Sequence, residues 1–291
     1  MTRTTRRGVL AALVLAATTA LTGCGALSEP PTGPPPVENP SFEPGTTMDR
    51  LAKAGRITVG TKFDQPLFGQ MGPEGYPVGF DVEIAKIIAA RLGIPADKIE
   101  WKEAVSTNRE PFIESGQVDM IVATYTISDS RKKVISFAGP YYTAGQGLLV
   151  AANDDSVQTE ADVVGKPVCS VTGSTPAEKI KEIGARTLLT DSYSKCLDPI
   201  RNGQAVAMTT DNVILAGLVA QNAGEFKVAG DGYTFTEEPY GVGIKHDDEA
   251  FRAFINDALE ESYADGTHEK AWESTVGVVL PYVAPPAVER Y

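Results

Sequence analysis

Histidine, cysteine and tryptophan are scarce in these 291 residues, with two, three and two copies. So few His and Cys leave little material for a dedicated zinc site, and no metal or cofactor is expected. Basic residues are also in short supply, 26 Lys+Arg against 38 Asp+Glu, for a formal net charge of −12. Three of the positive charges, Arg3, Arg6 and Arg7, lie in the first 23 residues, where there is no Asp or Glu. Without that segment the remainder carries 23 − 38 = −15. A nucleic-acid partner is therefore not expected, because phosphate neutralisation needs clustered Lys and Arg. The G-x-S-x-G, Walker and H-E-x-x-H patterns are missing as well. What is present has globular proportions, 42% hydrophobic and 22% charged, which excludes wholesale disorder. The length allows one large domain or two ordinary ones.

Arg3, Arg6 and Arg7 precede an apolar run, Gly8–Leu21. A basic stretch followed by a short apolar one reads as a secretory signal, residues 1–23. The run is shorter than the roughly 20 residues a membrane-spanning helix needs. It ends in Leu21-Thr22-Gly23-Cys24, which resembles the lipobox of bacterial lipoproteins. That resemblance implies lipidation of Cys24 and anchorage to the outer face of the cell membrane. Arg6-Arg7-Gly8-Val9-Leu10 loosely resembles a twin-arginine signal, so the export route stays open. Residues 24–47 follow as a tether. Gly25–Thr47 holds seven of the 20 prolines and no periodic apolar pattern. Such a stretch is expected to extend toward polyproline II, at about 3.1 Å per residue, and to build no core. With Cys24 assigned to lipid, Cys169 and Cys196 remain. Outside the cytoplasm two thiols often pair; two free buried thiols are the alternative.

From Met48 onward strand and helix patterns alternate. Arg56–Thr61, Ile99–Glu103 and Val118–Thr124 read as strands, and Phe80–Leu92 and Asn108–Ser115 as helices. A second set follows. Lys166–Val171, Thr187–Thr190, Ala205–Thr210 and Phe226–Ala229 read as strands; Thr175–Ile183, Lys195–Asn202 and Asn212–Asn222 read as helices. The last large helix spans about Asp248–Asp265. Gly147–Ala151 and Tyr240–Lys245 are strand-like runs apart from both rhythms, and are expected to cross between lobes as hinges. The β-α-β rhythm implies α/β lobes built on largely parallel sheets. Lobe 1 is expected over 48–147 plus 240–280, lobe 2 over 148–239, and a loose tail over 281–291. His246 and His268, among charged residues, are expected to face solvent.

Val118–Tyr142 resembles the polar amino-acid class of bacterial solute-binding proteins that serve ABC importers. Gly79–Ala85 resembles that family's first-helix pattern, Val171–Thr175 its second-lobe loop, and Thr209-Thr210-Asp211 its late Asp motif. Strings at Thr61–Pro66, Ala123–Ile127, Cys169–Ala177 and Tyr193–Cys196 are similar to those of actinobacterial glutamate-binding lipoproteins. The resemblance covers nearly all of Met48 to Leu280. It implies a two-lobed type II periplasmic-binding-protein fold, each lobe a mixed sheet flanked by helices. It also implies an amino-acid ligand of the glutamate/aspartate class, a permease partner, and a monomer without catalytic residues.

An α-amino acid needs a fixed positive fork for its carboxylate and acceptors for its ammonium. Arg131 follows a polar turn after a strand, and ligands in α/β sheets sit beyond strand carboxyl ends. A guanidinium there can grip a carboxylate bidentately, the role the resemblance implies. Gly173, Ser174 and Thr175 open a helix, whose first N–H groups attract an anion; capping by Ser174 or Thr175 is compatible. The family role of Asp211 is to accept from the ammonium, helped by groups around Thr124 and Thr126; an N-cap is the alternative. For a distal carboxylate the resemblance offers Lys62, Ser106 and Arg109. Solvent exposure is the alternative for Lys62, and an ion pair with Glu110 or Glu114 the alternative for Arg109. Tyr193 and Phe63 are plausible pocket walls. Two other readings share the fold: a sensor signalling to a membrane partner, and a dehydratase acting on a bound ring.

Overall fold

A computed structural model describes residues 1–2 and 32–291. The signal segment, the lipidation at Cys24 and the first residues of the Pro-rich stretch fall outside the described residues.

Along the chain run α1 (Thr47–Ala54), β1 (Ile57–Thr61), β2 (Asp64–Gln65), β3 (Gly69–Met71), β4 (Pro77–Val78) and α2 (Phe80–Arg91). Next are β5 (Ile99–Glu103), α3 (Arg109–Glu114), β6 (Met120–Ile121) and β7 (Ser136–Ala144). β8 (Gln146–Ala151), β9 (Pro167–Val171), α4 (Thr175–Ile183), β10 (Arg186–Thr190) and α5 (Leu197–Arg201) follow. The chain continues through β11 (Ala207–Asp211), α6 (Asn212–Gln221), β12 (Phe226–Val228), β13 (Glu238–Ile244), α7 (Glu249–Ala264) and α8 (Thr267–Thr275).

These strands form two five-stranded mixed sheets, ordered β5-β1-β6-β13-β7 and β10-β9-β11-β8-β12, plus a small sheet β2-β3-β4. Parallel pairs (β1 with β5 and β6, β9 with β10 and β11) carry the β-α-β rhythm. Antiparallel β13 and β8 are threaded beside them. The fold is α/β and two-lobed.

Local rules explain the helices that frame the site. α4 has Ser174 as N-cap, its Oγ accepting from Ala177 N at 3.1 Å, with Pro176 in the first turn. It ends at left-handed Gly184 (φ 101°). α2 starts at Gly79 (φ 130°), where a Cβ would lie 2.3 Å from Phe68 O, so only glycine fits. Behind α2 sits an aromatic core in which Phe80 packs edge-on to Trp272 at 5.2 Å and to His268 at 5.2 Å.

Gly147–Ala151 lies in β8, and the expected run Tyr240–Lys245 is strand as far as Ile244, in β13; each strand also joins a sheet. The passages between lobes are the adjoining ends, where Thr143 and Ala144 pair with Pro239 and Glu238. β6 covers only Met120–Ile121 of the strand expected over 118–124. The chain leaves the ladder there and reaches Thr124 with a positive φ of 44°.

Three expectations are corrected. His268 is fully buried, its Nε2 3.1 Å from Tyr141 O, because α8 lays it on the aromatic core. The tail is docked: Glu289 N donates to Gly139 O, and Tyr291 Oη meets both Phe137 N (3.0 Å) and Phe137 O (3.2 Å). These groups satisfy the open edge of β7. The described part of the Pro-rich stretch is packed as well. Phe42 meets Phe254 edge-on at 5.5 Å, and Val37 N donates to Ala90 O.

Candidate functional site

Lys62, Ser106, Arg109, Thr124, Thr126 and Arg131 face Ser174, Thr175, Tyr193 and Asp211 across the gap between the sheets. Gln65, Pro176 and Ile214 complete the wall. The cavity volume there is only about 10 Å³, far below the roughly 300–1,000 Å³ of drug-sized sites, so side chains of the two lobes nearly fill the cleft. A larger groove of about 610 Å³ opens to solvent between Thr32–Pro34 and α2 and α8. Two of its charged groups, Lys86 and Glu83, already pair at 2.7 Å. The chemistry is concentrated in the smaller cavity.

Three cations converge there. Lys62, at the end of β1, is buried (3% exposed) and donates from Nζ to Ser106 Oγ at 2.9 Å. Burial, then the neighbouring Arg109, push its pKa down to about 7. Arg109 lies over the Tyr125 ring, 4.0 Å from its centroid, with long contacts to Ser106 O and Ala123 O. Burial, then Arg131, lower its pKa to about 10. Arg131 donates to Thr126 O at 2.7 Å and reaches across to Gly173 O at 3.3 Å. Glu110 pairs with Arg131 Nε at 3.3 Å, so the anticipated partner of Arg109 serves Arg131.

Asp211 is the one carboxylate in the described wall of the cavity. It stands at the N-cap position of α6 but makes no cap bond; Tyr240 Oη donates to its Oδ2 at 2.6 Å. Burial, then nearby Glu238, push Asp211 up to about 7. Seven buried side-chain atoms among the described residues have no hydrogen-bond partner, and two of them, Asp211 Oδ1 and Gln65 Nε2, belong to residues that line the cavity. Buried polar atoms are normally paired. Here one is an acceptor and the other a donor.

Thr124 is held in a costly conformation, since a β-branched residue rarely adopts positive φ. Asp81 Oδ2 accepts its N–H at 2.7 Å while Asp81 Oδ1 accepts from Tyr141 Oη at 2.6 Å. The lobes meet closely. Thr175 Oγ1 lies 3.4 Å from Thr126 Oγ1, and Asp64 Oδ2 accepts from Tyr193 N at 2.9 Å. Cys169 and Cys196 are disulfide-bonded, tying β9 to the turn that carries Tyr193.

The sequence-derived residues converge with few exceptions. Phe63 is not part of the described wall. Gly173 contributes a carbonyl to Arg131. The Ser174 hydroxyl is engaged by Val171 O and Ala177 N. Gln65, Asp81 and Tyr240 were missed. Gln65 lies three residues after Lys62 in an already flagged string, which was the available signal. Asp81 and Tyr240 act through partners 43 and 29 residues away.

Comparison with known proteins agrees with this geometry. The family model for bacterial extracellular solute-binding proteins, family 3, matches residues 57–276. A glutamate-binding protein of Corynebacterium efficiens, GluB, is 40% identical over 245 residues, covering 81% of this chain and 83% of that protein. A glutamine-binding protein of Geobacillus stearothermophilus is 36% identical over 239 residues, covering 80% and 90%. An ancestral arginine-binding protein solved with glutamine superimposes with TM-score 0.72 at 35% identity, covering 77% of this chain and 98% of that one. With its family model spanning both sheets and its polar cleft between them, this chain belongs to the bacterial extracellular solute-binding proteins, family 3.

Proposed function

We propose that the protein is a receptor that closes on an acidic amino acid, glutamate or aspartate, and presents it to the permease of an ABC importer. The observation that carries this reading is the charge balance of the cleft. Lys62, Arg109 and Arg131 line it against Asp211 as the single lining carboxylate; Glu110, behind the wall, pairs with Arg131 and leaves Lys62 and Arg109 without a salt-bridge partner among the described residues. Glutamate, with two carboxylates and one ammonium, complements that set. Arg131 takes the α-carboxylate beside the start of α4, and Asp211 Oδ1 takes the ammonium. Gln65, Ser106, Arg109 and Lys62 meet the distal carboxylate. Glutamine would leave Lys62 and Arg109 against a neutral amide. The exported body carries about −15, so its long-range field opposes an anion and local donors must select it. The names of the relatives above, one glutamate-binding and one glutamine-binding, agree with a ligand of this size.

In this reading residues 1–23 direct export and lipidated Cys24 holds a monomer at the outer face of the membrane. Residues 48–147 with 240–280 form lobe 1, and 148–239 form lobe 2, moving about the β7/β8 and β13 passages. Ligand binding shifts an open–closed population. A crystal structure with glutamate tests the assignment. The expected density has the α-carboxylate on Arg131 and the distal carboxylate within hydrogen-bond reach of Lys62 or Arg109. A ligand bound outside this cleft, or with its distal carboxylate remote from both cations, would overturn it.

A further inference from the structure

Strand β13 carries Glu238 and Tyr240 two residues apart, so both side chains leave the same face of the strand. Both are buried, Glu238 at 5% exposure and Tyr240 at 0%. Tyr240 reaches into the other lobe, and Glu238, at the passage between the lobes, reaches the start of α4. Glu238 Oε2 accepts from Thr175 Oγ1 at 2.9 Å, and its Oε1 accepts from Thr236 Oγ1 at 2.9 Å. Tyr240 Oη donates to Asp211 Oδ2 at 2.6 Å. The backbone of the same strand is tied to the lobe 1 site loop: Ile127 N donates to Pro239 O, Gly241 N donates to Tyr125 O, and Thr126 bridges Tyr240. One strand thus touches Thr126, the start of α4 and the end of β11, three of the segments that line the cleft.

We propose that Glu238 and Tyr240 are positioning residues for the ligand's ammonium, setting where Asp211 points and the charge it carries when the lobes are closed. The inference rests on the amino-acid reading above. The Tyr240 hydroxyl occupies Oδ2 of Asp211 and leaves Oδ1, on a residue that lines the cleft, without a partner. The charged and titratable groups around Asp211 are Glu238 and Tyr240 from β13, Arg131 and Arg109 from lobe 1, Tyr142 from β7, and Tyr193. Of the two on β13, the hydroxyl favours the carboxylate form by donating to it. Glu238 disfavours that form by like-charge repulsion. The two side chains therefore bias Asp211 in opposite directions.

The test is calorimetric titration of glutamate into the wild type, Tyr240→Phe and Glu238→Gln at pH 6, 7 and 8.5. Tyr240→Phe keeps the ring that packs on Phe68, Tyr141 and Tyr142 and removes only the oxygen. Its affinity should fall at least about threefold at pH 7, with a larger deficit at pH 6 and a smaller one at pH 8.5. Glu238→Gln keeps an acceptor for Thr175 and removes the charge, so its acid limb should move to lower pH. Lys62 titrates in all three proteins and cancels in the differences. Midpoints moving in opposite directions support the inference. Unchanged midpoints, a uniform loss at every pH, or shifts in the same direction would overturn it. A wild type that binds no amino acid would remove the parent reading and this inference together. Normal wild-type binding with an unaltered Tyr240→Phe removes this inference alone.

Discussion

Replacing Lys62 by Met should stabilise the unliganded protein while weakening glutamate binding, and the two effects have one cause. The Nζ of Lys62 is buried, bonded to Ser106 Oγ, and has no carboxylate within salt-bridge distance among the described residues. Burial lowers its pKa from 10.5 to about 7. Below pH 7 the folded chain must hold a buried charge. Above pH 10.5 the folded and unfolded chains both hold Lys62 neutral. The cost is therefore full at low pH and fades as pH rises from 7 to 10.5. At about 1.36 kcal/mol per pH unit it is at most about 5 kcal/mol. Loss of the Ser106 bond offsets about 1 kcal/mol, and imperfect Met packing offsets more. A net gain of about 1–3 kcal/mol at pH 6 raises Tm by roughly 2–12 °C for lobes of this size. In the proposed reading, the ligand's distal carboxylate supplies the counter-charge this ammonium lacks. Its charge-assisted bond is worth about 1.5–3 kcal/mol, so glutamate affinity should fall roughly 10- to 150-fold. Glutamine affinity should change by less than about threefold. Thermal unfolding at pH 6 and pH 10, with parallel titrations of both ligands, measures all of this. A destabilised Lys62→Met with an unchanged glutamate/glutamine ratio would refute the reasoning.

Arg131→Ala should cut affinity about 30- to several-thousand-fold, since a ligand carboxylate left unpaired in the cleft costs about 2–5 kcal/mol; calorimetry within threefold of wild type would contradict it. Because Glu110 also loses its partner, circular dichroism must accompany that measurement. Serine at both Cys169 and Cys196 opens a link of sequence separation 27 and should cost roughly 3–4 kcal/mol in urea unfolding. A loss under 1 kcal/mol would show that the bond adds little. Tyr291→Ala removes the ring beneath Lys132 and Arg252 and the bonds to Phe137. Amide exchange over 131–137 should quicken, and unaltered protection there would show that the tail is not a strap.

Elements with strong local signals were legible in the sequence. The expected helix Thr175–Ile183 and strand Ile99–Glu103 match their observed bounds, because caps and patterning are written within a few residues. β7 was hidden, since Gly139-Pro140 in its middle reads as a break. Its place at the sheet edge tolerates a proline that a central strand would not. The burial of His268, the docking of the tail and the packing of Phe42 all depend on distant aromatic surfaces, which have no local pattern. The same holds within the site. Lys62, Arg109, Arg131 and Asp211 were found through motif strings, and the structure gathers them on one cavity. Their supports, Asp81 behind Thr124 and Tyr240 behind Asp211, exist only once the chain is folded.

The central claim is that Lys62 and Arg109, buried without a salt-bridge partner among the described residues while Arg131 pairs with Glu110, select an acidic amino acid. A calorimetric titration of the wild-type protein with glutamate, aspartate, glutamine and asparagine at pH 7 tests it most directly. Glutamate or aspartate should bind at least about tenfold more tightly than its amide, the difference expected from one charge-assisted hydrogen bond. Tighter binding of glutamine or asparagine than of either acid would contradict the account.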